Sequence, residues 1–360
     1  MESSKMNDRN QCKTLFTAGV VGVLLFAAGC AGKRIAPSSV GDGNSELPQE
    51  FAERFAVKDT GSAKAPEPKK VTSAVSEPTP QVGKLSPNSR SKKTESSGKS
   101  VGGTPASAPS PSPTGAFEWP KRRPEKDPLW IGERHTFEIT YFGLAAGNVD
   151  VDILPFKEIQ NRKVYHIKGR AQSSKVFTLI YRLDDTVETF VDYEGFFSHR
   201  FRLVLDEDMQ TRDAIELNDS LKAQTYYWNR WNHKKRGYTE TKETKPIPPF
   251  SQDSLSALYY IRTLPLKVGE VYSFPIVSEG NFWEAQVTVV RKEQIDTPMG
   301  RINAIVLKPE PKYTGNLSRA GDSFIWVSDD DRRFILRFEA KVRIGTVVAA
   351  LKSVQPGTAP

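Results

Sequence analysis

In the stretch Thr136-Phe-Glu-Ile-Thr-Tyr-Phe-Gly-Leu-Ala-Ala-Gly-Asn-Val-Asp-Val-Asp-Ile153, Phe137, Ile139 and Tyr141 alternate with Thr136, Glu138 and Thr140. After the turn Gly143-Leu-Ala-Ala-Gly147 the alternation resumes, with Val149, Val151 and Ile153 set against Asn148, Asp150 and Asp152. Successive side chains on a strand point to opposite faces, so two such runs joined by a glycine-bearing turn predict an antiparallel hairpin with one dry face and one wet face. The same texture continues through Val164–Ala171, Thr186–Asp192, Ser198–Leu205, Asp213–Asn218, Ala223–Trp228 and Gly237–Thr241. After a break it returns in Glu270–Val277, Phe282–Arg291, Arg301–Lys308, Asp322–Val327, Phe334–Val342 and Gly345–Ser353. So many strands in one domain curl or close, which predicts a mainly β fold: an antiparallel barrel or a strongly curved sheet.

The break is the exception. Pro248-Pro249-Phe250 precedes Ser251-Gln-Asp-Ser-Leu-Ser-Ala-Leu-Tyr-Tyr-Ile-Arg262, and Pro265 follows. Proline on both sides, with Ser251 or Asp253 as N-cap, predicts a helix over about residues 252–263. Leu255, Leu258 and Tyr259 share one helical face, while Ala257, Tyr260, Ile261 and Leu264 share another. A helix apolar on most sides is buried, so this one is expected to pack against or plug the concave side of the sheet.

Upstream of Trp119 the chain has a different character. Lys5, Arg9 and Lys13 form a basic start, and Leu15 to Ala28 is an apolar run too short to span a bilayer comfortably. It closes in Phe26-Ala-Ala-Gly-Cys30, which resembles the lipobox of bacterial lipoproteins, with Ala27 where that pattern most often has Leu. The resemblance implies cleavage after Gly29 and acylation of Cys30, which would be the membrane anchor. Ala31 after the cysteine, rather than Asp, implies an outer-membrane address facing the periplasm. From Ala31 to about Ala116 there is no sustained periodicity and almost no aromatic residue, the composition of a chain that cannot bury enough surface to fold. Leu47 to Val57 is the one piece able to form a transient helix. The expected organisation is a signal segment over 1–29, a Pro/Ser/Lys-rich disordered tether over 30–118, and one β-rich domain over 119–355. As a flexible coil such a tether has an r.m.s. span of roughly 50 Å.

Charge and composition exclude more than they select. The net charge of +8 is dispersed, and without a basic stripe or a known motif no nucleic-acid partner is expected. Both cysteines, Cys12 and Cys30, fall in the first thirty residues, so the mature domain offers no thiolate catalyst, disulfide or cysteine zinc site. The four histidines, His135, His166, His199 and His233, make no metal-ligand spacing, and motifs for hydrolases, P-loops and dinucleotide binding are absent. No metal, cofactor or catalytic residue is assigned. The run Asp329-Asp-Asp-Arg-Arg333 lacks the alternating ligands and glycine of a calcium loop and reads as a charged turn. Trp228-Asn-Arg-Trp231, continuing to His233-Lys-Lys-Arg236, interleaves aromatics with cations. Such a patch can stack on sugars, settle at a lipid headgroup layer or grip an anionic polymer, or it can be an ordinary hairpin with its rings on the sheet. Arg262, at the last turn of the predicted helix, suits the helix dipole or a carboxylate partner.

Several of these pieces together resemble a known family. Gly132-Glu133, the Gly143–Gly147 turn, the 253–262 helix followed by Leu266 and Gly269, Thr297-Pro-Met-Gly300, Ile325-Trp-Val-Ser-Asp329, Arg332-Arg333 and Gly345 are similar to the bacterial envelope family of domain of unknown function 3108, over about Asp127–Ser353. The resemblance implies a β fold in the cell envelope and no established activity. The leading expectation is therefore a non-catalytic domain that binds a hydrophobic or amphipathic envelope ligand, such as a lipid, or a partner protein. Leu255, Leu258, Tyr259, Arg262, Trp228 and Trp231 are the candidate ligand contacts. An interaction module with a solid core is the second expectation, and an unrecognised hydrolase the third.

Overall fold

The computed structural model describes residues 47–60, 118–312, 322–341 and 345–359; Cys30 and most of the tether lie outside them. In chain order the elements are α1 (Gln49–Arg54), β1 (Lys58–Asp59), β2 (Ile131–Tyr141), β3 (Leu144–Ile159), β4 (Arg162–Ser173) and a 3-10 turn (Phe177–Leu179). There follow β5 (Asp184–Asp192), β6 (Ser198–Asp206), β7 (Gln210–Asp219), β8 (Gln224–His233), β9 (Gly237–Pro246) and α2 (Ser254–Arg262). The chain ends with β10 (Val271–Ser278), β11 (Asn281–Thr297), β12 (Gly300–Lys312), β13 (Ser323–Ser328), β14 (Ile335–Lys341) and β15 (Thr346–Thr358).

These strands form one antiparallel sheet in the order β10-β11-β12-β13-β14-β15-β2-β3-β4-β5-β6-β7-β8-β9, with β1 added beside β3. Along this path the order follows sequence except at one place, where the last strand, β15, pairs with β2 through Val347↔Tyr141 to Thr358↔Ile131. The edges are therefore β9 and β10, which do not pair with each other, and α2 lies in the connection between them. Of the two expected forms, the sheet is the curved, open one. Its concave face encloses the main core, in which Phe137, Ile139, Val151 and Ile153 meet Leu255, Tyr259, Val287 and Leu307. The alternation in β2 is kept, with Phe137 and Ile139 buried while Glu138 lies half-exposed on the other face.

Helix α2 starts where its sequence says it should. Asp253 accepts hydrogen bonds from the amides of Leu255 and Ser256, both at 2.8 Å, and Ser256 Oγ accepts from the amide of Asp253 at 2.8 Å, completing a capping box. Thr189 on β5 also donates to Asp253, tying the cap to the sheet. At the far end Arg262 is fully enclosed. It donates to both oxygens of Glu133 at 2.6 and 3.0 Å and to the carbonyls of Pro128 and Arg332. Arg332 joins the same carboxylate at 2.6 Å. Burial and these two guanidiniums hold His135 well below its usual pKa, and hence neutral. The helix is thus fixed at its N-terminus by a cap and at its C-terminus by a buried ion cluster.

A second, smaller core lies on the convex face. Leu47 and the fully buried Phe55, which flank α1, pack with Ile159, Val164, Phe190, Ile215, Leu217, Tyr226 and Trp228, and Phe51 stacks on Tyr226 at 4.2 Å. Arg54 pairs with Asp219, Arg200 donates to the carbonyl of Phe55 at 3.2 Å, and β1 extends the sheet beside β3. The segment 47–60, within the stretch read as a tether, is in this structure a strap laid across the sheet.

Candidate functional site

The concave core is not filled. A cavity of about 130 Å³ lies between the sheet and α2. Its apolar wall includes Phe137, Ile139, Val151, Phe201, Leu203 and Phe338 from the strands and Leu255, Leu258 and Tyr259 from the helix. These are residues on the inward parity of their strands, together with the helical face that Leu255, Leu258 and Tyr259 share. The cap and the ion cluster keep that face turned towards the sheet.

One region of the wall is polar. Arg212 on β7 donates to Asn229 Oδ1 at 2.7 Å, to Tyr227 Oη at 2.6 Å and to Glu279 Oε1 at 2.7 Å. Glu279 and Gly280 form the β10–β11 turn, so this ion pair crosses from one end of the sheet to the other. The Gly280 amide makes a second crossing, donating to Glu216 on β7 at 2.7 Å. Both turn residues have left-handed backbones, and a Cβ at Gly280 would sit 3.2 Å from the Tyr227 side chain, so glycine is what lets the turn approach this closely. Burial pushes the Glu216 carboxyl up to about 8. Asp185, also on the wall, is pushed up to about 9 by burial and by nearby Glu207, and accepts from the Asp206 amide at 3.0 Å. Near neutral pH the site therefore holds one ion pair and two protonated acids that can donate as well as accept hydrogen bonds.

The family model described as a protein of unknown function, DUF3108, matches residues 136–352, more than half of the chain. The chain belongs to the DUF3108 family. Solved structures similar to it include a β-barrel-like protein of the DUF1849 domain from Brucella abortus, at TM-score 0.41 and 10% identity, covering 63% of this chain and 98% of that one. Others are a Bacteroides fragilis protein named as exported, with a YmcC-like fold (TM-score 0.26, 13% identity, 67% and 99% covered), and a Parabacteroides distasonis protein named as a lipoprotein (0.25, 9%, 66% and 100%). None of the curated proteins matches the chain.

Within this DUF3108 domain the six candidate contacts separate. Leu255, Leu258 and Tyr259 line the cavity together. Arg262 is engaged by Glu133 at the end of the helix, outside the cavity lining. Trp228 belongs to the convex core and donates its Nε1–H to Glu240 at 2.8 Å; Trp231 donates to Gln210 at 2.7 Å. The aromatic–cation run is the end of the β8–β9 hairpin, with Arg230 and Lys242 over the Trp228 ring at 4.5 Å and Arg236 over Trp231 at 5.5 Å. Of the histidines, His199 faces Asp192 at 3.0 Å and His166 stacks on Phe190 at 4.5 Å; none of the four lines the cavity. Among the described residues no group of His, Asp and Glu is placed to hold a metal ion.

The polar wall residues Arg212, Glu216, Tyr227 and Glu279 were not foreseen from sequence. A signal existed: Arg212, Ala214 and Glu216 share one parity on β7, so an apolar inward face carries a charge on either side. It was masked because the strap buries the other face as well. With Ile215 and Leu217 buried on the opposite parity, apolar residues fall on both faces of β7 and the alternation disappears.

Proposed function

We propose that the domain is a non-catalytic binder that receives the apolar end of an amphipathic cell-envelope molecule in the cavity beneath α2. The observation that carries this reading is the cavity itself: apolar side chains around most of it, with a few convergent polar groups in one region, the usual anatomy of a ligand site. Its size restricts what enters. An apolar cavity of ~150 Å³ accepts one benzene, and pockets that bury a drug-sized molecule start at ~300 Å³. The space thus suits a ring or a short stretch of acyl chain. The polar groups are paired with one another and not arranged as nucleophile and base, which supports binding over hydrolysis. The lipobox-like sequence supports anchoring through acylated Cys30, and Ala31 supports an outer-membrane position facing the periplasm.

A second reading draws on the same volume. A cavity this small is also what an imperfectly packed core leaves behind, and the domain would then be an interaction module of the envelope with no small ligand. Mass spectrometry of the full chain purified from membranes separates the two. The denatured mass reports acylation of Cys30, and the excess of the native over the denatured mass reports non-covalent ligand. Binding predicts an excess mass, or uptake of palmitic acid or phosphatidylglycerol when either is added, and its loss in Leu258→Asp with an unchanged urea midpoint. Equal native and denatured masses, with no uptake of either probe, would remove the ligand and leave the interaction module.

A further inference from the structure

At one end of the sheet the turns expose apolar side chains that the fold does not use. Antiparallel order places the β2–β3 turn and the β4–β5 connection at the same end, and Ser174 joins them, its amide and hydroxyl donating to the carbonyls of Ala146 and Ala145 at 2.8 and 3.0 Å. Phe142 and Leu144 in the first are 62% and 65% exposed, and Val176, Leu179 and Ile180 in the second are 75%, 88% and 71% exposed. Five large apolar side chains on two linked turns make a patch, and a contiguous exposed patch marks a contact surface where scattered single residues would not.

Phe142 strengthens the case. Its φ is +51°, a left-handed conformation that is strained for a bulky residue and usually filled by Gly or Asn in a hairpin turn. Its ring leans on Tyr141, centroids 4.5 Å apart, and on the bare backbone of Gly345, where a Cβ would come within 2.9 Å of the ring. The local backbone thus accepts strain, and a neighbouring residue stays without a side chain, to hold a phenyl ring mostly in water. Exposed Lys175 and Lys341 stand at the same end. The cavity wall reaches it too, through Ile139, Ala171 and Val347, the last paired with Tyr141.

We propose that this rim is a docking surface for an anionic lipid bilayer, with Phe142, Leu144, Val176, Leu179 and Ile180 entering the headgroup–acyl boundary and Lys175 and Lys341 meeting the headgroup charge. The occupant follows from the chemistry: apolar tips bordered by Lys175 and Lys341 fit an apolar layer beneath a negative surface. Docking at the end the cavity wall reaches lets an amphipath pass between bilayer and cavity with little exposure to water. That purpose rests on the ligand-binding reading above; the docking itself does not.

The test is hydrogen–deuterium exchange of the full chain reconstituted in vesicles of phosphatidylcholine alone or in equal parts with phosphatidylglycerol. Slower exchange over 142–146 and 174–181 in the anionic vesicles, with the turns at Gly195 and Ser220–Lys222 unchanged, is the expected result. Changing the exposed pair Leu179→Ser and Ile180→Ser should abolish that slowing while the urea midpoint stays in place. Identical exchange in both vesicle types would overturn the proposal. So would slowing that tracks the protein-to-lipid ratio and not the anionic lipid, since the rim would then be meeting a second copy of the chain. An excess native mass without rim protection would leave the ligand reading standing and refute the rim; rim protection without excess mass would do the reverse.

Discussion

Glu133 and Glu216 are both wholly buried acids, and their surroundings treat them differently. Glu133 lies between the guanidiniums of Arg262 and Arg332, whereas Glu216 accepts a bond from a neutral amide while Arg212 pairs with Glu279. Removing one member of a buried ion cluster strands the others, so Glu133→Gln should cost about 3–5 kcal/mol in urea unfolding. Glu216 acts through pH. Its folded pKa of about 8 lies above its ordinary value of 4.5, so the folded state binds the extra proton, and stability falls as pH rises from 4.5 through 8. Asp185, at about 9, acts in the same direction. Glu188, held near 2 by His166 at 3.8 Å and Lys168 at 2.7 Å, loses its contribution only in acid, below that window. Above pH 7, where His135 is neutral in both the folded and the unfolded chain, the urea midpoint should therefore decline towards pH 9, and Glu216→Gln, which keeps an acceptor for the Gly280 amide, should flatten that decline. A wild-type midpoint that rises across this range would contradict the assignment of Glu216 as a neutral acid.

At the scale of elements, α2 and α1 are secured by different means and should fail differently. Asp253→Ala removes the cap of α2 and should lower stability by about 1–2 kcal/mol in urea unfolding, while Asp253→Asn, still an acceptor, should lower it less. Helix α1 is held by its flanks, so Phe55→Ala should release the strap without unfolding the sheet. Exchange at residues 47–60 would quicken and the emission of Trp228, newly wetted, would shift, while the thermal midpoint moves little. This is also where sequence reading reached its limit. Helix α2 was legible because its signals are local: flanking prolines, a capping aspartate and apolar residues at helical spacing. The strap was not, because Leu47, Phe51 and Phe55 are three apolar residues in a polar stretch, and what holds them is a surface supplied more than a hundred residues later. In the cavity, Leu255, Leu258 and Tyr259 could be read from one helix. The Arg212–Glu279 crossing could not, since it depends on how far the sheet curls.

For the whole molecule, an open sheet must keep its edges from pairing with other copies. Strand β9 alternates Thr, Glu and Lys along Thr239–Lys245 and is exposed along most of its length, the charged edge that discourages such pairing. Lys242→Val with Lys245→Val should produce concentration-dependent association measurable by light scattering, with little change in the monomer's unfolding. The strap has another consequence for the whole chain, concerning reach. By length alone the chain from Cys30 to Trp119 could extend several hundred ångströms, but the strap takes hold at Leu47, only seventeen residue steps from Cys30. At ~3.5 Å per step that leash is at most about 60 Å long. The strap sits by Asp219 and Lys222, at the end of the sheet away from Phe142, and the eleven residues of β2 set the height between the two ends at roughly 35 Å. With Cys30 in a bilayer, the leash is long enough to turn the domain so that Phe142 meets that same bilayer. On the proposed anchoring through Cys30, leash and domain pulled straight the other way end about 100 Å from that bilayer, and the strap would make this a molecule of short radius, working at or just above the membrane.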